Sequence, residues 1–270
     1  MSKLGIFRDS NEVYHAAEHI GSTSLKKMAI SPGHFYCSWK GPKAESKAFD
    51  EGNLVHQVLL EQSLDGFVRR PDGVDGRTKV GKEILTELEA TGKKVMTADV
   101  YDSMNRRLEA FTKSTEAMKL YDHAEIEMSH YAHDAETGLF IKCRPDMMKH
   151  GMICDLKTTQ MMSTFEKQIW NLQYFVQLGY YALVAEITTG TTIRELKFIA
   201  QEKTAPYGIQ VFALDRTTVD FSKARARELL NRVAVCIADN HFPIYDDTVK
   251  VLSVPAWLDV AEFSFFEEVG

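Results

Sequence analysis

Cys143-Arg144-Pro145-Asp146, closely followed by Ile153-Cys154-Asp155-Leu156-Lys157-Thr158-Thr159, is the stretch on which the reading of this chain turns. Residues 138–144 alternate loosely between apolar and polar, which is the period of a strand. Pro145 has no N–H to give to a ladder, so it ends or bends that strand and re-aims Asp146 at the break. Lys149-His150-Gly151 supplies a turn, and 152–157 reads as the returning strand. Residues two apart in a strand share a face, so Asp155 and Lys157 point one way and Leu156 points to the core. An antiparallel return brings Asp155 near Asp146.

Carboxylates held close together repel unless a cation sits between them. Magnesium suits such a place, because it prefers carboxylates, waters and phosphate oxygens. Asp146 and Asp155 are therefore candidate magnesium ligands. Lys157 is placed to orient an attacking water or to stabilise charge developing on a phosphoryl group. The competing reading of Asp155 and Lys157 is an ordinary surface ion pair, since D-x-K arises often by accident.

Working outward, 163–188 carries apolar residues at helical spacing, with Ser163 and Glu166 forming a capping-box pattern and Gly190 a stop. Gln177 and Tyr181 share a face of that helix. They read either as support for the metal site or the nucleic-acid backbone, or as part of an ordinary amphipathic helix. Upstream, 125–131 reads as a strand joined to the Pro-Asp strand by a turn at Glu136-Thr137-Gly138. Glu127 offers a third carboxylate. The segment 51–60 reads as a helix burying Leu54, Val55, Val58 and Leu59 and carrying His56, which by itself is an ordinary structural histidine.

Together these residues resemble the PD-(D/E)xK nuclease superfamily, and more narrowly the RecE-type exonucleases, the nuclease region of exonuclease VIII and its phage relatives. The likeness begins at Ser22-Thr23-Ser24-Leu25-Lys26 and Ser31-Pro32-Gly33-His34-Phe35. It runs through Gly52-x-x-x-His56, Leu59-Leu60-Glu61, Glu136-Thr137-Gly138, the Pro-Asp and D-x-K elements and Gln177-x-x-x-Tyr181, and fades at Leu252-Ser253-Val254-Pro255-Ala256-Trp257. The resemblance implies that Asp146 and Asp155 bind magnesium, with manganese as a substitute, and that Lys157 assists the nucleophile. It implies metal-site roles for Glu127, favoured over Glu125, and for His56, and a catalytic role for the Gln177–Tyr181 pair. It also implies a 5′-to-3′ exodeoxyribonuclease acting on linear double-stranded DNA ends. Such an enzyme leaves 3′ single-stranded tails for a RecT-like annealing protein in recombination and repair, and assembles as a homo-oligomeric ring. Asp155 departs from the Glu found at the second acidic position in many members of the superfamily. The rival readings are an endonuclease or nickase of the same superfamily, and a catalytically silent DNA-binding module.

The 270 residues, 44% of them hydrophobic, suffice for a substantial core. The expected class is α/β of the α+β kind: a restriction-endonuclease-like mixed sheet flanked by helices, with an N-terminal helical subdomain. One nuclease domain is expected, helical to about 121, catalytic over about 122–240, with a tail from 241. Three strands are expected to 158, two more near 194–203 and 207–214, and a helix over 216–240. No apolar run approaches the roughly 20 residues that span a bilayer, and no secretory leader is evident, so a cytoplasmic, membrane-free protein is expected. The four cysteines lack a C-x-x-C, which argues against zinc or an iron–sulfur cluster and for buried free thiols. A net charge of −6 is awkward for a DNA-binding protein. Local clusters at Lys26-Lys27, at Lys40, Lys43 and Lys47, and at Arg69-Arg70, Arg77, Lys79 and Lys82 offer a basic channel. The turn-rich 71–77 loop is a candidate substrate-facing loop.

Overall fold

The computed structural model describes residues 3–42 and 51–255. The helices are α1 (Asn11–Ala16), α2 (Ser22–Met28), α3 (Pro32–Lys40), α4 (Glu51–Glu61), α5 (Lys79–Glu89), α6 (Ala98–Lys113), α7 (Thr115–Tyr121), α8 (Phe165–Asn171), α9 (Tyr174–Thr189) and α10 (Arg216–Ala238). The strands are β1 (Gly5–Phe7), β2 (Phe67–Arg69), β3 (Lys94–Met96), β4 (Glu125–Ile126), β5 (Ser129–His133), β6 (Phe140–Cys143), β7 (Met147–Lys149), β8 (Met152–Thr159), β9 (Glu195–Glu202) and β10 (Ile209–Ala213).

The central sheet runs β10-β9-β8-β7-β4, with β8 and β9 parallel and every other pair antiparallel. The parallel pair requires a crossover, which α8 and α9 supply. Side chains alternate along β8 between two cores. Ile153 joins Leu196, Phe198, α9 and α10 on one face, while Met152, Cys154 and Leu156 join α4, α6 and α7 on the other. Both faces are covered, which makes the expected mixed sheet flanked by helices. No described helix is long and apolar enough to cross a membrane.

Several expectations need correction. The region from 22 to 121 is not purely helical, because β2 and β3 form a parallel pair within it. The 125–131 strand is two strands, and so is the Pro-Asp strand. β4 and β7 belong to the central sheet, whereas β5 and β6 pair with β1 in a separate one. The partner of β8 is therefore β7, beyond Pro145, and not the strand before it. The cause is the crease already foreseen at Pro145, matched on the opposite strand by Glu127 at φ 48°. Register is continuous across it. Ile126 pairs with Met147 and His130 with Cys143, so Glu127 falls opposite Asp146, and its N–H donates to the Asp146 carbonyl at 3.2 Å.

The long helix over 163–188 is also broken. Met162–Thr164 is a 3-10 turn, α8 starts after Thr164 with no side-chain cap, and Gln173 at φ 57° separates α8 from α9. The Ser163 capping box does not form, and Gly190 ends α9 in the left-handed region as expected. Of the cysteines, Cys143 and Cys154 are buried free thiols, Cys236 is half-buried, and Cys37 is exposed, contrary to expectation. Lys43, Lys47 and the tail from 256 lie outside the described residues. Arg69, one of the channel candidates, is engaged by Asp102 at 2.8 Å and Asp72 at 3.0 Å.

A buried ion pair ties α10 to the turn after β5. Arg227 clamps Asp134 through two bonds of 2.8 and 2.9 Å, and Asp134 is only 2% exposed. Burial pushes the Asp134 carboxyl up, but Arg227 and Thr137 pull it net below its ordinary value. A depressed carboxylate contributes stability that is present above the unfolded pKa of about 3.9 and lost as pH falls. Replacing Arg227 by Met should therefore cost about 3 kcal/mol at neutral pH, by stranding the buried carboxylate. The gap between variant and wild type should narrow below about pH 4 in urea melts, and a constant gap would contradict this account.

Candidate active site

Crease, helix and returning strand meet at one place. Asp146 sits at the crease, and its Oδ2 accepts the Leu156 N–H at 2.6 Å. That peptide lies between Asp155 and Lys157, so a single bond fixes the first carboxylate against the D-x-K strand. Asp155 and Lys157 share a face of β8, and the ammonium is in ion-pair contact with Asp155 Oδ2. Asp155 Oδ1 accepts from Gln177 Nε2 at 3.0 Å, and the same Nε2 reaches the Tyr181 hydroxyl at 3.0 Å. From α4, His56 Nδ1 approaches Asp146 Oδ2 at 3.6 Å.

Asp146, Glu127 and Tyr181 line a cleft of about 640 Å³ together with Ser22, Asn53 and Arg144. Glu127 is half-buried there, whereas Glu125 is exposed. Arg144 pins the crease. Its guanidinium donates to Ser129 Oγ at 3.0 and 2.9 Å, to Asn11 Oδ1 at 2.7 Å and to the Asp9 carbonyl at 3.0 Å. The structure thus gathers Asp146, Asp155, Lys157, His56, Glu127, Gln177 and Tyr181 around the middle of β8.

Charge in this pocket is unevenly held. Burial, and then repulsion from Asp146, push the Asp155 carboxyl up although Lys157 opposes the shift. Burial also raises Asp146, but His56, Lys157 and the Leu156 amide bring it net below its usual value. Burial lowers Lys157, and Asp155 and Asp146 more than restore it, so the amine stays an ammonium. Glu127 is raised by burial and by Asp146. Burial lowers His56, and Asp146 raises it beyond its ordinary value.

Among the described residues, no three His, Cys, Asp or Glu side chains form a ready-made metal cage. The donor set nonetheless fits a hard divalent cation. Asp155 Oδ2 is buried, and the Lys157 ammonium lies against it. It is an anionic oxygen held against its burial cost, beside a second carboxylate, and oxygen donors suit magnesium or manganese. Asp146 and Asp155 would hold the ion, with Glu127 on the cleft side. His56 is placed as the charge partner of Asp146, and ligation by its Nδ1 requires that pair to open.

A raised histidine contributes stability fully present below its unfolded pKa of about 6.5, and lost as pH rises through its folded value. A cation on Asp146 competes with the imidazolium, so metal uptake should strengthen as pH rises above about 6.5. Titrating Mn2+ calorimetrically at about pH 6 and about pH 8.5 should show the tighter binding at the higher pH, and His56→Gln should flatten the difference. Equal affinity at both values in the wild type would contradict the pairing.

Sequence reasoning passed over two contributors. Tyr174 presents its ring to Lys157 Nζ at 5.0 Å and to Lys26 Nζ at 5.5 Å from the centroid. Lys26, read as part of a basic cluster and of the segment where the family likeness begins but given no site role, donates to Gln177 Oε1 at 3.2 Å. Periodicity places Lys26 on a helix, but only the packing of α2 on α9 puts it at the site.

The model of a PDDEXK-like domain of unknown function (DUF3799) matches residues 21–253. No curated protein sequence matches the chain. The fold is similar to that of a candidate exonuclease from Eubacterium rectale, with a TM-score of 0.57 at 12% identity over 96% of this chain and 99% of that one. An alkaline exonuclease from Laribacter hongkongensis aligns over 70% of this chain and 95% of its own, at 14% identity and a TM-score of 0.31.

Proposed function

This chain belongs to the PDDEXK-like family DUF3799, within the PD-(D/E)xK nuclease superfamily, and from that premise we propose that it is a divalent-metal-dependent exodeoxyribonuclease of the RecE type. Its substrate is the end of linear double-stranded DNA. It digests 5′ to 3′ and leaves 3′ tails for an annealing partner of the RecT kind. Magnesium is the proposed ion, manganese the substitute, and a homo-oligomeric ring the proposed assembly. Polarity, ring and annealing partner are drawn from the RecE resemblance.

The observation that carries the nuclease reading is the meeting of Asp146, Asp155 and Lys157 at the crease, with one Asp155 oxygen buried against the Lys157 ammonium. A divalent ion held there supplies Lewis-acid polarisation of a phosphoryl oxygen and a more acidic water. Asp146 is kept ionised by His56 and the Leu156 amide, and so stays available as a ligand at neutral pH. Lys157 remains protonated, so it donates hydrogen bonds and positive charge and does not remove the proton from water. Gln177 and Tyr181 hold the Asp155 rotamer, and the cleft beside Glu127 gives the strand its approach.

The test is digestion of matched linear and covalently closed duplexes with magnesium. Loss of the linear form alone supports the proposal, and cutting of the closed circle favours the endonuclease. Labels on the 5′ or 3′ end then read the polarity. A protein inert with every divalent ion tried would favour the silent DNA-binding module.

A further inference from the structure

Helices α2 and α9 meet through two matched pairs. Ser22 and Lys26 are four apart on α2, and Gln177 and Tyr181 are four apart on α9, so each pair lies along one helix face. Ser22 and Tyr181 line the same cleft, and Lys26 Nζ donates to Gln177 Oε1 at 3.2 Å. The far end of the Gln177 amide is the group that holds Asp155 Oδ1, at 3.0 Å.

We infer that Lys26 is a positioning residue for the metal-binding carboxylate, acting through the Gln177 amide. An amide group has an acceptor end and a donor end, and an ammonium can only donate. Lys26 therefore selects the carbonyl end of Gln177. The reversed amide would set its NH2 against the ammonium and its carbonyl oxygen against the Asp155 carboxylate, two repulsions at once. With the amide locked, Oδ1 of Asp155 is occupied, and Oδ2 is presented to Lys157 and to an arriving cation. Loss of a group that orients a ligand in this way typically costs about 10- to 100-fold in metal affinity. The inference rests on the reading that Asp155 receives a divalent ion.

Charge alone and positioning predict opposite signs, which makes the test sharp. Deleting a nearby positive charge should tighten cation binding if Lys26 acts only through space. Loss of orientation should weaken it. Calorimetric titration of Mn2+ into the intact, DNA-free chain is the readout. Lys26→Met is expected to weaken Mn2+ binding by about 10- to 100-fold. Gln177→Leu should do the same, and the double variant should be no weaker than the worse single one, the mark of two residues in one path. Lys26→Arg, which keeps a donor-only cation, should restore most of the affinity.

On linear duplex at limiting metal, Lys26→Met should lower kcat more than it raises KM. Lys26→Gln, whose own amide can face Gln177 in either sense, should show the same weakening and serves if Lys26→Met fails to fold. Unchanged or tighter Mn2+ binding by Lys26→Met, or losses that add in full with Gln177→Leu, would overturn the inference. The wild-type titration reads the site itself, and the ratio of variant to wild type reads Lys26. A wild type that takes up no Mn2+ overturns both.

Discussion

Asp155→Asn should reduce degradation of linear duplex by about a thousand-fold or more, while the protein stays folded. The substitution keeps the shape of the side chain and leaves one acceptor oxygen for two donors, Lys157 and Gln177, while removing the anion. Asp155 is 1% exposed, and its carboxyl is pushed up by burial first and by Asp146 second. A carboxyl with a raised folded pKa favours the folded state fully below its unfolded value of about 3.9, and that contribution is lost as pH climbs through the folded value. At neutral pH the ionised group is therefore held at a cost that Lys157 offsets only in part, and a divalent ion would offset more of it. Millimolar Mg2+ or Mn2+ should accordingly raise the melting temperature of the wild type and leave that of Asp155→Asn nearly unmoved. Two measurements decide the matter, a digestion time course and a thermal melt with and without metal. Retention of activity within tenfold of wild type would remove Asp155 from the site. A metal-induced rise in melting temperature that survives the substitution would move the ion elsewhere.

Gly179→Ala should destabilise the fold by about 3 kcal/mol or more, a large effect for one methyl group. Gly179 lies on α9 where α10 crosses it. A Cβ there would come within 2.1 Å of the Ser222 carbonyl oxygen and 2.3 Å of its carbon, with the Lys223 nitrogen at 2.8 Å. These are backbone atoms of a helix and cannot swing aside as a side chain would, so α9 and α10 must part. The helix that moves also carries Gln177 and Tyr181, and activity should fall with stability. Urea melts of the purified variant provide the check, and a loss under about 1 kcal/mol would mean that the two helices tolerate wider spacing.

The sequence already contained the parts of the candidate site that are local. Pro145 can only interrupt a ladder, so Asp146 had to lie at a break. Strand alternation put Asp155 and Lys157 on one face and Leu156 on the core side, where it is fully buried against α4. Helical spacing put Gln177 beside Tyr181. Hydrophobic period also located α4, β9, β10 and α10 to within a few residues. Each of these follows from a neighbour-to-neighbour constraint of the backbone, which a sequence displays directly.

What needed the tertiary structure was every relation between segments distant along the chain. Periodicity sees a strand at 125–131 but not that Glu127 takes φ 48° and sends its two halves to different sheets. It sees a helix over 163–188 but not the break at Gln173, where the chain turns α9 so that Gln177 meets Asp155. It cannot tell that Lys26 faces Gln177, 151 positions away, or that His56 faces Asp146. Those contacts are set by which helix faces pack on which side of the central sheet. That choice is made by the summed burial of many side chains, and no short stretch of sequence records it.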